Sequence, residues 1–494
     1  MSDVNLPKGW ARAPFSDVLD LQNGFAYKSS SYVDIGAFVI RIGNVQDGKV
    51  SLHNPAYIDL SELKNSPFEL YPEDILVSLT GNVGRVAVIQ ESQLPAVLNQ
   101  RVARVICNEI ERRFAYYSIK TKSTFEAILN TAKGAAQLNV STKDILSICS
   151  PLPPLAEQKV IANKLDTLLA QVENTKARLE RIPEILKTFR QSVLSAAVSG
   201  KLTEEWREGN PSQKALSLAD IEYYWVLRYQ EISKKRQSLK LIETASHADI
   251  PPSWLSTKLG YVFDVFVGAT PSRNVEAYWN GDLPWVSSSE VAFCRIVKTK
   301  EKITELGLKN TSTSIHPRGT VMLAMIGQGK TRGQVAILDI EACHNQNTAA
   351  LRVPEGFVVS EYLYFYLTKQ YEETRRVGGG NNQQALNKSF VQSLEFPLPP
   401  YEEQTQIVRH VEELFALADN IEQKANAALE RVNNLTQAIL AKAFRGELTA
   451  DWRAANPNLI SGENSAEALL EKIKAEREAL KKQTNKKTAA RKRV

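Results

Sequence analysis

Two kinds of hydrophobic pattern alternate along the chain. The first is a heptad. From Ile161 the seam positions recur as Leu165, Leu168, Val172, Thr175, Leu179, Ile182, Leu186, Phe189, Val193 and Ala196, at spacings alternating between four and three. A 3.5-residue repeat held over about five heptads predicts a coiled-coil helix, because only an under-wound, supercoiled helix keeps such a stripe on one partner. The second pattern is a set of short β-type runs separated by glycine and asparagine: Phe38–Ile42, Ile75–Leu79, Val86–Ile89, Thr320–Ala324 and Gln334–Leu338. These predict twisted sheets with long loops. Helices are expected near Glu111–Asn130 and Ser360–Arg375.

The patterns occur twice. Pro151-Leu152-Pro153-Pro154-Leu155-Ala156-Glu157-Gln158 returns as Pro397-Leu398-Pro399-Pro400-Tyr401-Glu402-Glu403-Gln404, an offset of 246 residues. Gly200-Lys201-Leu202-Thr203-Glu204-Glu205-Trp206-Arg207 returns at the same offset as Gly446-Glu447-Leu448-Thr449-Ala450-Asp451-Trp452-Arg453. The heptad returns too, with Ile407, Val411, Leu414, Ile421, Val432 and Leu435 on its seam. A period this long is a duplicated unit, not a solenoid of ~20–50-residue repeats. In each copy prolines start the helix and glycine stops it, while Pro183 is expected to kink the first. Helices matched in length and register within one chain are expected to pair with each other, antiparallel. At ~1.5 Å per residue each is a rod of about 66 Å, which bounds how far apart it can hold the two globular units. Lengthening both helices by a heptad is therefore expected to change that separation.

The expected fold class is α+β: two mixed α/β globular domains joined by two long helices that form an intramolecular antiparallel coiled coil, with pseudo-twofold internal duplication. The expected divisions are 1–150 and 250–396 for the globular domains, 151–249 for the first helical region with its linker, and 397–494 for the second with a basic tail. Composition adds limits. Lys and Arg number 61 against 55 Asp and Glu, a net +6, but seven of those cations lie between Lys481 and Val494 with no acid, and without them the balance is −1. A nucleic-acid surface on the folded domains must then be local, and the tail is expected to be a solvated, disordered end. No apolar run reaches the ~18 residues of a membrane span, and the N-terminus has no secretory pattern. The four cysteines are isolated, as suits a reducing cytoplasm.

Candidate chemistry lies in loops. Ala324–Thr331 nearly spells the phosphate-binding GxxxxGK[ST], but a β-run follows where that motif requires a helix N-terminus. The same loop bears Gln328, Lys330, Thr331 and Arg332, and its shorter counterpart bears Asn82 and Arg85. Arg41, Asn44, Ser288, Asn381 and Asn382 lie in similar polar segments. Glycine permits close backbone approach, and amide and guanidinium donors suit base edges and phosphates. These residues are the candidate DNA-binding set. No catalytic or metal-binding constellation is expected. His53, His247, His316, His344 and His410 lack triad or ligand spacing and are expected in loops or at the surface.

The PLPP…EQ and LT…WR segments, together with Gly268-Ala269-Thr270-Pro271-Ser272, Tyr278-Trp279-Asn280-Gly281-Asp282, Pro284-Trp285-Val286 and the GQGKTRG loop at 327–333, resemble the specificity subunit of type I restriction–modification systems, most closely the type IA branch. The resemblance runs along essentially the whole chain. It implies that each globular half reads one part of a split, asymmetric target in double-stranded DNA. It also implies that the helices dock two modification (M) subunits, which use S-adenosylmethionine to methylate adenine N6, and that restriction (R) subunits add ATP- and Mg-dependent cleavage. The chain itself would carry no cofactor and no catalysis, and would act in the cytoplasm. Two other readings compete: a coiled-coil scaffold that does not read DNA, and a nucleotide-dependent enzyme using residues 324–331.

Overall fold

The computed structural model describes residues 6–63, 66–134, 137–232, 250–327, 330–376 and 386–491. The chain forms two compact units, one of residues 1–180 with 427–494 and the other of residues 181–426. Both boundaries fall inside long helices of 44 residues, Leu155–Val198 and Tyr401–Phe444. The first helix runs unbroken through Pro183.

In the first unit the strands are β1 (Ala11–Pro14), β2 (Leu19–Asn23), β3 (Ala37–Ile40), β4 (Tyr57–Ile58), β5 (Glu69–Leu70), β6 (Ile75–Ser78), β7 (Val86–Val88), β8 (Ala96–Leu98), β9 (Val102–Cys107) and β10 (Cys149–Leu152). They form a sheet of order β2-β9-β6-β7, a second of order β4-β3-β8-β5, and a β1–β10 ribbon. The runs Ile75–Val77 and Val86–Ala87 are buried on both faces of the first sheet. Ile75, Val77, Val86, Ala103 and Val105 share a core with Phe114, Ala115, Ile119 and Ile128 of the helices, whereas Leu76, Ala87 and Val102 share one with Phe38, Ile40 and Leu98 of the second sheet. Successive strand residues point to opposite faces, so a strand sandwiched between two layers must be apolar throughout.

The second unit repeats this plan with β11 (Leu255–Lys258), β12 (Asp264–Val267), β13 (Trp279–Val286), β14 (Cys294–Ile296), β15 (Glu301–Ile303), β16 (Val321–Ala324), β17 (Val335–Leu338), β18 (Cys343–His344), β19 (Thr348–Arg352) and β20 (Glu395–Leu398). The main sheet has order β12-β19-β16-β17-β14, the second β15-β13-β18, and β11 pairs with β20. The internal correspondence is close: β1–β10 and β11–β20 are both antiparallel, and β3–β8 and β13–β18 are both parallel.

Within each unit the long helices run antiparallel. In the first, Ile161 and Leu165 from the start of one helix share a core with Leu440, Ala443 and Phe444 from the end of the other. In the second, Val193, Leu194 and Ala197 share a core with Ile407, Val408 and Val411, and Arg190 reaches Asp419 at 2.7 Å and Glu422 at 2.8 Å. Of the two seam lines, the one through Leu165, Val172, Leu186, Val411 and Val432 is buried, with Leu179 half-buried. On the other line Ile161 and Ile407 are buried by the globular cores and Leu168 and Leu414 are half-buried, but Ile421 and Leu435 are 40% and 44% exposed. A pair of helices covers one line from both sides and leaves the second at the rim.

Four expectations are corrected. The helix expected near Glu111–Asn130 is two, Arg112–Lys120 and Lys122–Thr131, because the extended Thr121 turns its hydroxyl to cap the second, accepting from the Thr124 amide. The helix expected over Ser360–Arg375 is likewise two, Ser360–Lys369 and Tyr371–Arg376. The basic stretch is not irregular backbone: Lys481–Arg491 continues the helix Ala466–Arg491, with Lys481 and Lys482 exposed. The part of that helix before the stretch is anchored, with Ala466, Leu469 and Ile473 in the first unit's core and Lys472, Lys474 and Arg477 paired with Glu109, Asp17 and Asp20. His316 and His344 are fully buried.

Candidate DNA interface and the locks that support it

The repeated motifs turn out to hold the frame. Glu157 of the PLPP…EQ segment is completely buried. Its carboxylate accepts from Trp10 Nε1 at 2.8 Å, Thr449 Oγ1 at 2.6 Å, and Arg453 Nε and Nη2 at 3.0 and 2.9 Å. The second unit builds the same lock from the other halves of the motifs. Buried Glu403 accepts from Trp254 Nε1 at 2.9 Å, Thr203 Oγ1 at 2.7 Å and Arg207 Nη1 at 2.6 Å. Each glutamate near the start of one helix is thus satisfied by residues beyond the end of the other. A carboxylate this deep is tolerable only when it is paired and hydrogen-bonded. Gly200 and Gly446 stop the helices at φ of +79° and +77°, and a Cβ at Gly446 would lie 2.4 Å from Pro7 Cγ. Only glycine fits both the left-handed backbone and the close approach. These lock residues were not singled out as functional from the sequence, although the constant offset of both motifs was the signal.

In the first unit the structure brings Arg41, Asn44, Asn82 and Arg85 together. Arg85 Nη1 donates to Gln46 Oε1 at 2.8 Å, and the Gly48 amide donates to the Val86 carbonyl at 2.8 Å, tying the 79–85 loop to the turn after β3. Buried Ser78 closes that loop, accepting from the Arg85 amide at 3.0 Å and donating to the Asn82 carbonyl at 2.5 Å. The Asn82 side chain is exposed and Arg85 half-buried. Asn44, also expected as a candidate contact, is placed differently from its neighbours. It is 2% exposed, and its amide accepts from the Arg41 amide at 3.0 Å and donates to the Ser51 and His53 carbonyls at 3.0 and 3.1 Å. With its side-chain oxygen and nitrogen both engaged inside the loop, it acts as a strut for the turn after β3. Arg41 donates to the Asn54 carbonyl and lies 6.0 Å from the Tyr32 ring centre.

In the second unit Lys330, Thr331 and Arg332 share the loop between β16 and β17. The chain leaves this loop directly into β17, the antiparallel neighbour of β16, so no helix N-terminus follows it. The loop leans on the helix Tyr371–Arg376: Tyr371 OH donates to the Lys330 carbonyl at 2.6 Å and Arg332 Nη2 to the Arg375 carbonyl at 2.7 Å. The Lys330 side chain is exposed. Ser288 sits in the turn after β13, inside a capping box made by Ser287 and Glu290. Gln328, Asn381 and Asn382 lie outside the described residues.

A buried polar chain underlies the second unit's main sheet. Arg352 Nε donates to His316 Nδ1 at 3.1 Å, so His316 carries its proton on Nε2 and donates to His344 Nε2 at 3.2 Å. His344 Nδ1 then donates to Thr348 Oγ1 at 2.7 Å, whose hydroxyl donates to the Asn345 carbonyl at 3.0 Å. The order works only with both rings neutral. Burial, with smaller contributions from His344 and Arg352, pushes His316 down to about 2, and burial pushes His344 down to about 4. The chain also carries the glycine-rich segment: the Ala269 amide donates to the His344 carbonyl at 3.0 Å, and Trp285 Nε1 to the Ala269 carbonyl at 3.1 Å. Among the described residues no group of three His, Cys, Asp or Glu side chains could hold a metal ion, and no helix is long and apolar enough to cross a membrane.

Residues 7–184 and 251–431 match the type I restriction modification DNA specificity domain. The chain belongs to that family. It is 36% identical over 493 residues to the type I restriction enzyme EcoBI specificity subunit of Escherichia coli, covering 96% of this chain and 94% of that subunit. It is 34% identical over 498 residues to the EcoKI specificity subunit of Escherichia coli strain K12, covering 97% and 98%. Among solved structures the HsdS subunit from Thermoanaerobacter tengcongensis has a similar fold, with a TM-score of 0.56 at 18% identity over 90% of this chain and 99% of that one. A chain from a type I R-M system structure gives 0.59 at 18%, with the same coverage.

Proposed function

We propose that this specificity subunit reads a bipartite, asymmetric sequence in double-stranded DNA, one part per unit, for a type I restriction–modification complex. The observation that carries the reading is the duplication itself. Two units of related topology each place a loop with polar and cationic side chains between corresponding strands, exposed Asn82 with half-buried Arg85 in one and exposed Lys330 with half-buried Arg332 in the other. Different loops on one scaffold give two different half-sites, hence an asymmetric target. In this reading two M subunits dock on the helical regions and supply S-adenosylmethionine-dependent methylation of adenine N6. R subunits add ATP- and Mg-dependent cleavage, and the complex works in the cytoplasm. The chain's own residues bind and orient DNA and perform no chemistry.

Mapping of adenine methylation in cells carrying this chain with its M subunit tests the reading. One split asymmetric motif is expected, and exchange of the first unit's loops should alter only one of its halves. Methylation that is independent of this chain, or an undivided motif, would refute it.

A further inference from the structure

We infer that a cleft beside β13 in the second unit binds the phosphodiester backbone of DNA, with Lys300 and Lys302 as its cations; this rests on the DNA-reading function proposed above. The cleft is an open surface groove of about 800 Å³, and Arg273, Trp279, Asn280, Lys300, Glu301 and Lys302 are among its lining residues. It exists because β13 and β15 fall out of register. Trp279 and Leu283 both face Ile303, so residues 280–282 bulge from the ladder. Asn280 takes up the bend at φ +61° and is exposed. A Cβ on Gly281 would lie 2.6 Å from the Ile303 carbonyl oxygen, so the bulge rests directly on the neighbouring backbone.

The charges are unevenly held. Arg273 lies 3.8 Å from the Trp279 ring centre and pairs with Glu301, which uses up that carboxylate. Glu276 also lines the cleft. Lys300 and Lys302 are exposed, and among the described residues neither lies within ion-pair distance of a carboxylate. They are not on a loose loop. The Lys300 amide donates to Glu290 Oε1 at 2.8 Å, the carboxylate that also closes the Ser287 capping box next to Ser288. Lys302 stands on β15, opposite Pro284 of β13. Two ammonium groups without an ion-pair partner among the described residues, on fixed backbone and lining one groove with a stacked guanidinium and indole, suit a repeating anion. Lysines contacting phosphate position a duplex without reading its bases.

The test uses the assembled complex. Equilibrium binding to target and non-target duplexes is measured over a salt series for the wild type, Lys300→Ala/Lys302→Ala and the charge-preserving Lys300→Arg/Lys302→Arg. Each phosphate contact contributes about 0.9 to the log–log salt slope. The double alanine variant is expected to lower that slope by about 1.8 and to weaken both duplexes by the same factor, leaving discrimination intact, and the arginine pair should keep the slope. An unaltered slope in a folded double alanine variant overturns the site, whatever its effect on stability. Wild-type complex that fails to prefer any sequence would instead overturn the DNA-reading function.

Discussion

Glu157→Ala is the most demanding probe of the lock in the first unit. The substitution strands three donor groups at once, the Trp10 indole N–H, the Thr449 hydroxyl and the Arg453 guanidinium, around a position with no solvent access. Removing one partner of a buried pair costs about 3–5 kcal/mol, because the other charge stays buried and uncompensated. Summing the separate hydrogen bonds would exceed that range, but they share one carboxylate and do not add. At about 1.4 kcal/mol per tenfold, local opening should become roughly 10²- to 10³·⁵-fold more frequent. Hydrogen exchange followed by mass spectrometry reads this directly. Peptides covering 7–14, 149–158 and 446–456 should lose protection by that factor, whereas 200–210 and 251–258, around the intact Glu403 lock, should not. Glu403→Ala should reverse the pattern. Glu157→Leu with Arg453→Met, which removes both charges, should recover most of the protection. Wild-type exchange around Trp10 in Glu157→Ala, or equal losses around both glutamates, would refute the argument.

Three further outcomes follow from the structure. His316 and His344 are held neutral when folded, with values of about 2 and about 4 against about 6.5 unfolded; their contribution is present above pH 6.5 and is lost as pH falls, down to about 4 for His344 and about 2 for His316, at up to about 1.4 kcal/mol per pH unit for each ring. Imidazole NMR titration should find both rings neutral at pH 5.5, and a midpoint near 6.5 for either would contradict the buried chain. Gly446→Ala should destabilise by about 1–3 kcal/mol, from the left-handed backbone and the contact with Pro7, a lowering of melting temperature that a solvent-facing Gly209→Ala should not share. Lys330→Ala should reduce DNA affinity and its salt slope by about 0.9 with little change in thermal stability, whereas Asn44→Ala should lower stability first; equal effects on stability would dispute the distinction between exposed contact and buried strut.

The heptad, the constant offset and the paired motifs were enough to specify two related units and two self-pairing helices, because periodicity and duplication are properties of spacing and survive without coordinates. The short β-runs were legible for the same reason, since a strand covered on both faces must be apolar at every position. What the linear pattern could not supply was which polar residues face inward. Asn44 and Arg85 have the same kind of sequence neighbourhood, yet one is used up inside its loop and the other stands half-open. His316 and His344 lie 28 residues apart and form one hydrogen-bonded chain only because β18 brings His344 beside the segment before β16. Glu157 meets Arg453 across 296 residues, and Glu403 meets Arg207 across 196. Local composition carries no record of such partners. Whether a polar group is spent on the fold or left for a ligand is decided by what closes around it in three dimensions, and that depends on burial and direction, neither of which is encoded in the identity of the residue alone.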